Sequence, residues 1–109
     1  MSNLENKNII VTGASGGIGN SIIKKLNEAG ANILASGTRI EKLEEIKKNY
    51  KNIKILKFDI SQSDKIEEFI ENATSELGGS LDGLVNNAGI TQDNLAIRMS
   101  LDEWQKVIN

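Results

Sequence analysis

Gly13, Gly16, Gly17 and Gly19 fall within seven positions of the stretch VTGASGGIGN (residues 11–20), directly after the apolar run Ile9-Ile10-Val11 and directly before a segment with helical spacing. Each glycine at a strand end or helix start forfeits roughly 0.5–1 kcal/mol relative to alanine, so four together call for a geometry or a bound group that side chains would obstruct. A strand-to-helix turn whose main-chain N–H groups point at a pyrophosphate on the helix N-terminus has that requirement. In that reading Gly13 makes the turn, Gly17 lets the backbone approach phosphate and Gly19 lets the helix lie close to the sheet. The spacing is T-G-x-x-x-G-x-G, neither the G-x-G-x-x-G fingerprint nor a P-loop, and such a pattern taken alone is also compatible with a plain tight turn. Cysteine and histidine are both absent. That excludes a disulfide framework, a thiolate metal site, a Cys nucleophile and the commonest general base, so any chemistry falls to Ser, Tyr, Lys, Asn, Asp or Glu.

The elements that would position these residues alternate along the chain. Apolar or β-branched runs at 8–12, 32–35, 53–58 and 81–85 read as strands, separated by stretches of helical periodicity. Ile18, Ile22, Ile23 and Leu26 share one helical face, and Gly30 is a plausible stop. Ile40, Leu43 and Ile46 mark a second helix, introduced by Thr38-Arg39-Ile40-Glu41 with the spacing of a capping box. A third helix follows Ser61-Gln62-Ser63-Asp64, with Ile66, Phe69, Ile70, Ala73 and Leu77 inward and Gly78-Gly79 at its end. A fourth begins at Ser100-Leu101-Asp102-Glu103. Strands and helices in this alternation predict an α/β protein, the N-terminal half of a doubly wound Rossmann fold with parallel strand order 3-2-1-4 and helices on both faces. Ligands bind such sheets beyond the carboxyl ends of the strands, where the order reverses. Here the glycine turn and the loop Asn86-Asn87-Ala88-Gly89 should face one crevice from the first and fourth strands.

With these motifs in place the sequence resembles the short-chain dehydrogenase/reductase family: TGxxxGIG at 12–19, NNAG at 86–89, and an aspartate followed by an aliphatic residue, Asp59-Ile60, after the third strand. The resemblance implies that Gly13, Ser15, Gly16, Gly17, Ile18 and Gly19 wrap the pyrophosphate and adjoining ribose of a nicotinamide dinucleotide. It further implies that Asp59 and Ile60 meet the adenine, and that Asn87, Ala88 and Gly89 line the nicotinamide-side ribose. Bland alternatives stand beside these roles: Ser15 as a helix cap, Asp59 as a turn residue, and Asn86 and Asn87 as a turn holding the fourth strand on the first. The stretch 86–109 is most similar to the branch of the family that reduces 3-oxoacyl groups carried on acyl carrier protein. The implied parent is an NADP-dependent oxidoreductase acting on an acyl-carrier-protein-linked substrate, as a homo-oligomer, a tetramer. In the family a Ser and a Tyr-x-x-x-Lys pair in the second half of the fold carry the chemistry, so no catalytic residue is expected here. Tyr50 and Lys54 share the Tyr-x-x-x-Lys spacing but fall where a helix runs into a strand, away from the crevice.

The second strand also bears on which dinucleotide is bound. A free ribose 2′-OH is usually met by an acid at its end, whereas a 2′-phosphate needs a cation or hydroxyl donors. The strand ends Ala35-Ser36-Gly37-Thr38-Arg39, without an acid, so Thr38 and Arg39 favour NADP(H). Against this, related reductases often carry Arg where this chain has Gly16, and Thr38 as a helix cap with Arg39 solvated is the bland alternative.

Bulk properties set the outer limits. Thirteen basic residues against fifteen acidic ones give a net charge of −2, with no basic cluster for nucleic acid. No apolar stretch reaches the ~18 residues of a membrane span or the core of a signal peptide, which points to a cytoplasmic protein and no membrane partner. Residues 1–109 are expected to form one dinucleotide-binding domain, incomplete at its C-terminus, as the first part of a longer reductase. A non-enzymatic nucleotide-binding module or an inactive truncated product are the other options. A half-sheet would leave Leu84 and Val85 on an unprotected edge strand.

Overall fold

The computed structural model describes residues 4–50, 52–59, 63–87 and 96–97. In chain order the elements are β1 (Asn8–Thr12), α1 (Gly17–Glu28), β2 (Asn32–Gly37), α2 (Ile40–Asn49), β3 (Ile53–Lys57), a 3₁₀ turn (Ser63–Lys65), α3 (Ile66–Glu76), β4 (Gly83–Asn86) and β5 (Ala96–Ile97). They build one sheet in the order β3-β2-β1-β4-β5. The first four strands are parallel, and β5 runs antiparallel to β4. The predicted order 3-2-1-4 is therefore present. The expected open edge at Leu84 and Val85 is not, because β5 pairs with β4 in the register Val85↔Ile97 and Asn86↔Ala96.

Side-chain alternation along the strands sends neighbours to opposite faces and so creates two cores. Ile9 and Val11 of β1, with Ile33 and Ala35 of β2, pack against Ile22, Ile23 and Leu26 of α1 and Leu43 and Ile46 of α2. Ile10 and Leu34, one position out of phase, meet Phe69 and Ala73 of α3 on the other face, with Ile70 and Leu77 half-buried beside them. The rings of Phe58 and Phe69 stack there with centroids 4.3 Å apart. Two residues depart from the expected stripes: Ile18 is 55% exposed and Ile40 is 39% exposed, so the buried faces of α1 and α2 begin one turn later than the periodicity implied.

Strand ends also moved for identifiable reasons. β2 runs on through Ser36 and Gly37, pairing with Leu56 and Lys57 of β3. β4 starts only at Gly83, because Asp82 is committed to Asn8: the Asn8 N–H donates to Asp82 Oδ2 at 2.8 Å and the Asp82 N–H to Asn8 O at 2.8 Å. The Asn8 side chain extends this knot, donating to Ser80 O and Oγ and accepting from Asn32 Nδ2. It fastens the amino ends of β1 and β2 and leaves the carboxyl ends to the loops that follow them.

Among the described residues no helix is long and apolar enough to cross a membrane. Ile60, Ala88, Gly89, Ser61 and the predicted fourth helix lie outside the described residues.

Candidate functional site

At the carboxyl end of β1, buried Thr12 joins the two strands that flank the reversal in strand order. Its Oγ1 donates to Val85 O at 3.4 Å and accepts the Asn87 N–H at 3.0 Å. Asn87 Nδ2 then donates to Gly13 O at 3.3 Å. The loop after β4 is thus stitched to the glycine turn after β1, and the two segments predicted to face one crevice are in direct contact.

The turn itself is built from main chain. Gly13 has φ of 64°, in the left-handed region that favours glycine. Ala14 is buried and its N–H donates to Ser36 O at 2.8 Å, fixing the turn against β2. Helix α1 opens with Gly16 as an extended N-cap, with no side-chain cap and no acid in its first turn. Its first intrahelical bond is Asn20 N–H to Gly16 O at 3.0 Å. The amides of Gly17, Ile18 and Gly19 therefore lack acceptors within the helix and carry the positive end of its dipole, a ready anion site.

The glycines divide by what a side chain would meet. A Cβ at Gly19 would lie 2.5 Å from Gly13 O and 2.7 Å from Ala14 Cα, so its absence answers to packing inside the protein. A Cβ at Gly17 would meet nothing within 4 Å among the described residues, so no contact among them requires that glycine. A diphosphate suits this place: free amides, no carboxylate in the first turn, and empty space at position 17 for the group to approach the backbone. Beside it a cleft of about 320 Å³ separates the start of α1 from α2, with Ser15, Gly16, Gly17 and Asn20 on one side and Arg39, Lys42, Glu45 and Asn49 on the other.

The two helix caps offered as alternative roles are absent, while Arg39 is exposed as its alternative role had it. Ser15 does not cap α1. Thr38 does not cap α2, whose N-cap is Arg39 and which has no side-chain cap at all. The capping box fails because β2 runs to Gly37 and the helix opens at Ile40, leaving Thr38 one residue too early. Thr38 and Arg39 are both exposed just past the carboxyl end of β2, and Asp59 is exposed past β3. Tyr50, by contrast, packs against the α1–α2 core, and Lys54 lies near the amino end of β3, at the far end of the sheet from the glycine turn.

Two residues at this site were not singled out from the sequence. Gly37 is one: a Cβ there would lie 2.8 Å from Ser15 Oγ, so its absence lets the turn sit on β2. A glycine inside a strand run was the available signal, since it marks a close approach. Thr12 is the other, and its bonds span 73 to 75 positions, out of reach of any local pattern.

Comparison with known proteins agrees with this fold. The chain is 40% identical over 109 residues to nodulation protein G of Rhizobium sp. (strain N33), covering 99% of this chain and 44% of that protein. It is 42% identical over 108 residues to a 3-oxoacyl-[acyl-carrier-protein] reductase of Vibrio harveyi, covering 98% of this chain and 44% of that protein. Among solved structures, a short-chain dehydrogenase/reductase described as glucose/ribitol dehydrogenase, from Brucella melitensis, superposes with a TM-score of 0.73 at 31% identity, over 97% of this chain and 46% of that one. The chain thus spans less than half the length of the curated relatives it matches. The family model for short chain dehydrogenase matches residues 7–109, and the chain belongs to that family of oxidoreductases, which bind a nicotinamide cofactor.

Proposed function

We propose that residues 1–109 form the dinucleotide-binding part of an NADPH-dependent ketoreductase that converts a 3-oxoacyl group on acyl carrier protein to the 3-hydroxyacyl form. The observation that carries this reading is the anion site at the start of α1, tied through Gly13 to Asn87 at the strand-order reversal. When bound, the nicotinamide supplies a hydride to the carbonyl carbon, while the carbonyl oxygen takes up a proton. This chain's residues would hold and orient the nucleotide. The amides of Gly17, Ile18 and Gly19 bind the diphosphate, with Gly13, Ser15 and Gly16 shaping its turn. Thr38 and Arg39 meet a 2′-phosphate, Asp59 and Ile60 the adenine, and Asn87, Ala88 and Gly89 the nicotinamide-side ribose. The absence of an acid at the end of β2 supports NADP over NAD.

Similarity to 3-oxoacyl-[acyl-carrier-protein] reductases at about 41% identity supports the substrate class. A second reading, a different carbonyl or alcohol substrate, is favoured by the fold shared with a short-chain dehydrogenase/reductase described as glucose/ribitol dehydrogenase. Both are tested by following nicotinamide absorbance with the full-length protein, supplying acetoacetyl-acyl carrier protein or a panel of polyols and small ketones. Turnover of the acyl-carrier-protein substrate with NADPH in clear excess over NADH is the expected result. Turnover confined to the panel would shift the assignment to the second reading.

A further inference from the structure

The cleft between the glycine turn and α2 carries charges that the reading of Thr38 and Arg39 leaves unused. Gly16 offers no side chain to it, so the cations among its lining residues come from the α2 side: Arg39 and Lys42. The same wall holds Glu45, the carboxylate among the lining residues. Arg39 is the N-cap of α2, and the Lys42 N–H donates to Arg39 O at 3.1 Å, closing the first turn. Arg39, the extended N-cap, and Lys42, in the first turn, both line the cleft, and Glu45, three residues beyond Lys42, is its neighbour on the same row of the helix surface. Cations at a helix start oppose the dipole, which favours acids there. Glu41 already supplies the acid that the dipole favours in this first turn, so the helix has no need of Arg39 and Lys42, and both cations are left on the cleft for an anion.

We propose that Lys42 is a specificity-determining residue, its ammonium joining Arg39 against the 2′-phosphate of NADP(H), while Glu45 limits that preference by repelling the same phosphate. The proposal rests on the nicotinamide-nucleotide reading above and adds a second cation on α2 in place of any side chain at position 16. It separates from a role on the diphosphate, because NADPH and NADH share that group and only the 2′-phosphate tells them apart.

The test is dissociation constants of NADPH and NADH by calorimetry, on the full-length protein and its Lys42→Gln and Glu45→Gln variants, with thermal unfolding of each as a folding check. Lys42→Gln should weaken NADPH by roughly 3- to 10-fold, the scale of a solvent-screened charge contact, and leave NADH within about two-fold. Glu45→Gln should move NADPH the other way, tightening it by about two- to five-fold, which a merely unfolded variant could not do. Both effects should shrink as salt rises from about 0.05 to about 0.5 M. Equal weakening of both nucleotides by Lys42→Gln, or no change in either variant, overturns the role of Lys42 while leaving the dinucleotide site intact. A parent protein that binds the two nucleotides alike removes the NADP assignment and this inference with it, and one that binds neither removes the nucleotide reading altogether.

Discussion

Gly17 and Gly19 sit two residues apart in one motif, yet the structure gives them opposite reasons to lack a side chain. Position 19 is closed by the main chain of Gly13 and Ala14, whereas position 17 is open. Gly19→Ala should therefore cost about 1–3 kcal/mol of stability, as overpacking against backbone does, read as a lower denaturant midpoint with an unchanged slope. Gly17→Ala should leave stability within about 1 kcal/mol, since alanine suits a helical position better than glycine. Its methyl group nonetheless stands where a diphosphate would approach the amides, so NADPH affinity should fall by about 10-fold or more, measured by fluorescence titration. Unchanged affinity in Gly17→Ala would mean that the open space at the start of α1 serves no ligand.

At the scale of elements, Thr12 and Asn87 hold together the carboxyl ends of β1 and β4 beside the proposed site. Thr12→Val removes the hydroxyl that accepts the Asn87 N–H and donates to Val85 O, and orphaning that part-buried donor costs toward the lower end of about 1–3 kcal/mol. Asn87→Ala removes the bond to Gly13 O. Because the two residues share one network, a double-mutant cycle on urea stability should show a coupling of about 0.5–3 kcal/mol, while additive losses would deny that they act as one latch. The sequence made the alternation of strands and helices legible, and with it the order of the four parallel strands, since periodicity is local and crossovers restrict topology. Glycine spacing likewise marked the turn. What stayed hidden depends on distant partners: the extension of β2 through Gly37, the late start of β4 caused by Asn8 and Asp82, the missing cap at Thr38, the edge pairing of Ala96–Ile97, and the latch at Thr12. Capping boxes are read from spacing alone, and a two-residue shift in where β2 ends was enough to void one.

On the whole molecule, the polar knot at Asn8 and the proposed nucleotide site lie at opposite ends of the sheet. Asn8, with Ser80, Asp82 and Asn32, ties the amino ends of the strands, while the glycine turn and Asn87 occupy the carboxyl ends. Segments more than seventy positions apart meet only when the chain is folded, so a nucleotide held at the glycine turn and Asn87 binds the native state and not the unfolded one. At free NADPH of about 100 times its Kd, that linkage adds about 2.7 kcal/mol, enough to raise the melting temperature by several degrees. Asn8→Ala should lower the melting temperature of the free protein by removing the side-chain bonds to Ser80 and Asn32, at about 1–3 kcal/mol. The rise produced by NADPH should be the same size in Asn8→Ala as in the parent, because the knot lies at the far end of β1. Gly17→Ala should show the reverse pattern in the same thermal scan, a parent-like melting temperature without ligand and little rise with it. If Asn8→Ala also lost the NADPH response, the two ends of the sheet would be coupled, and β1 would transmit strain along its length.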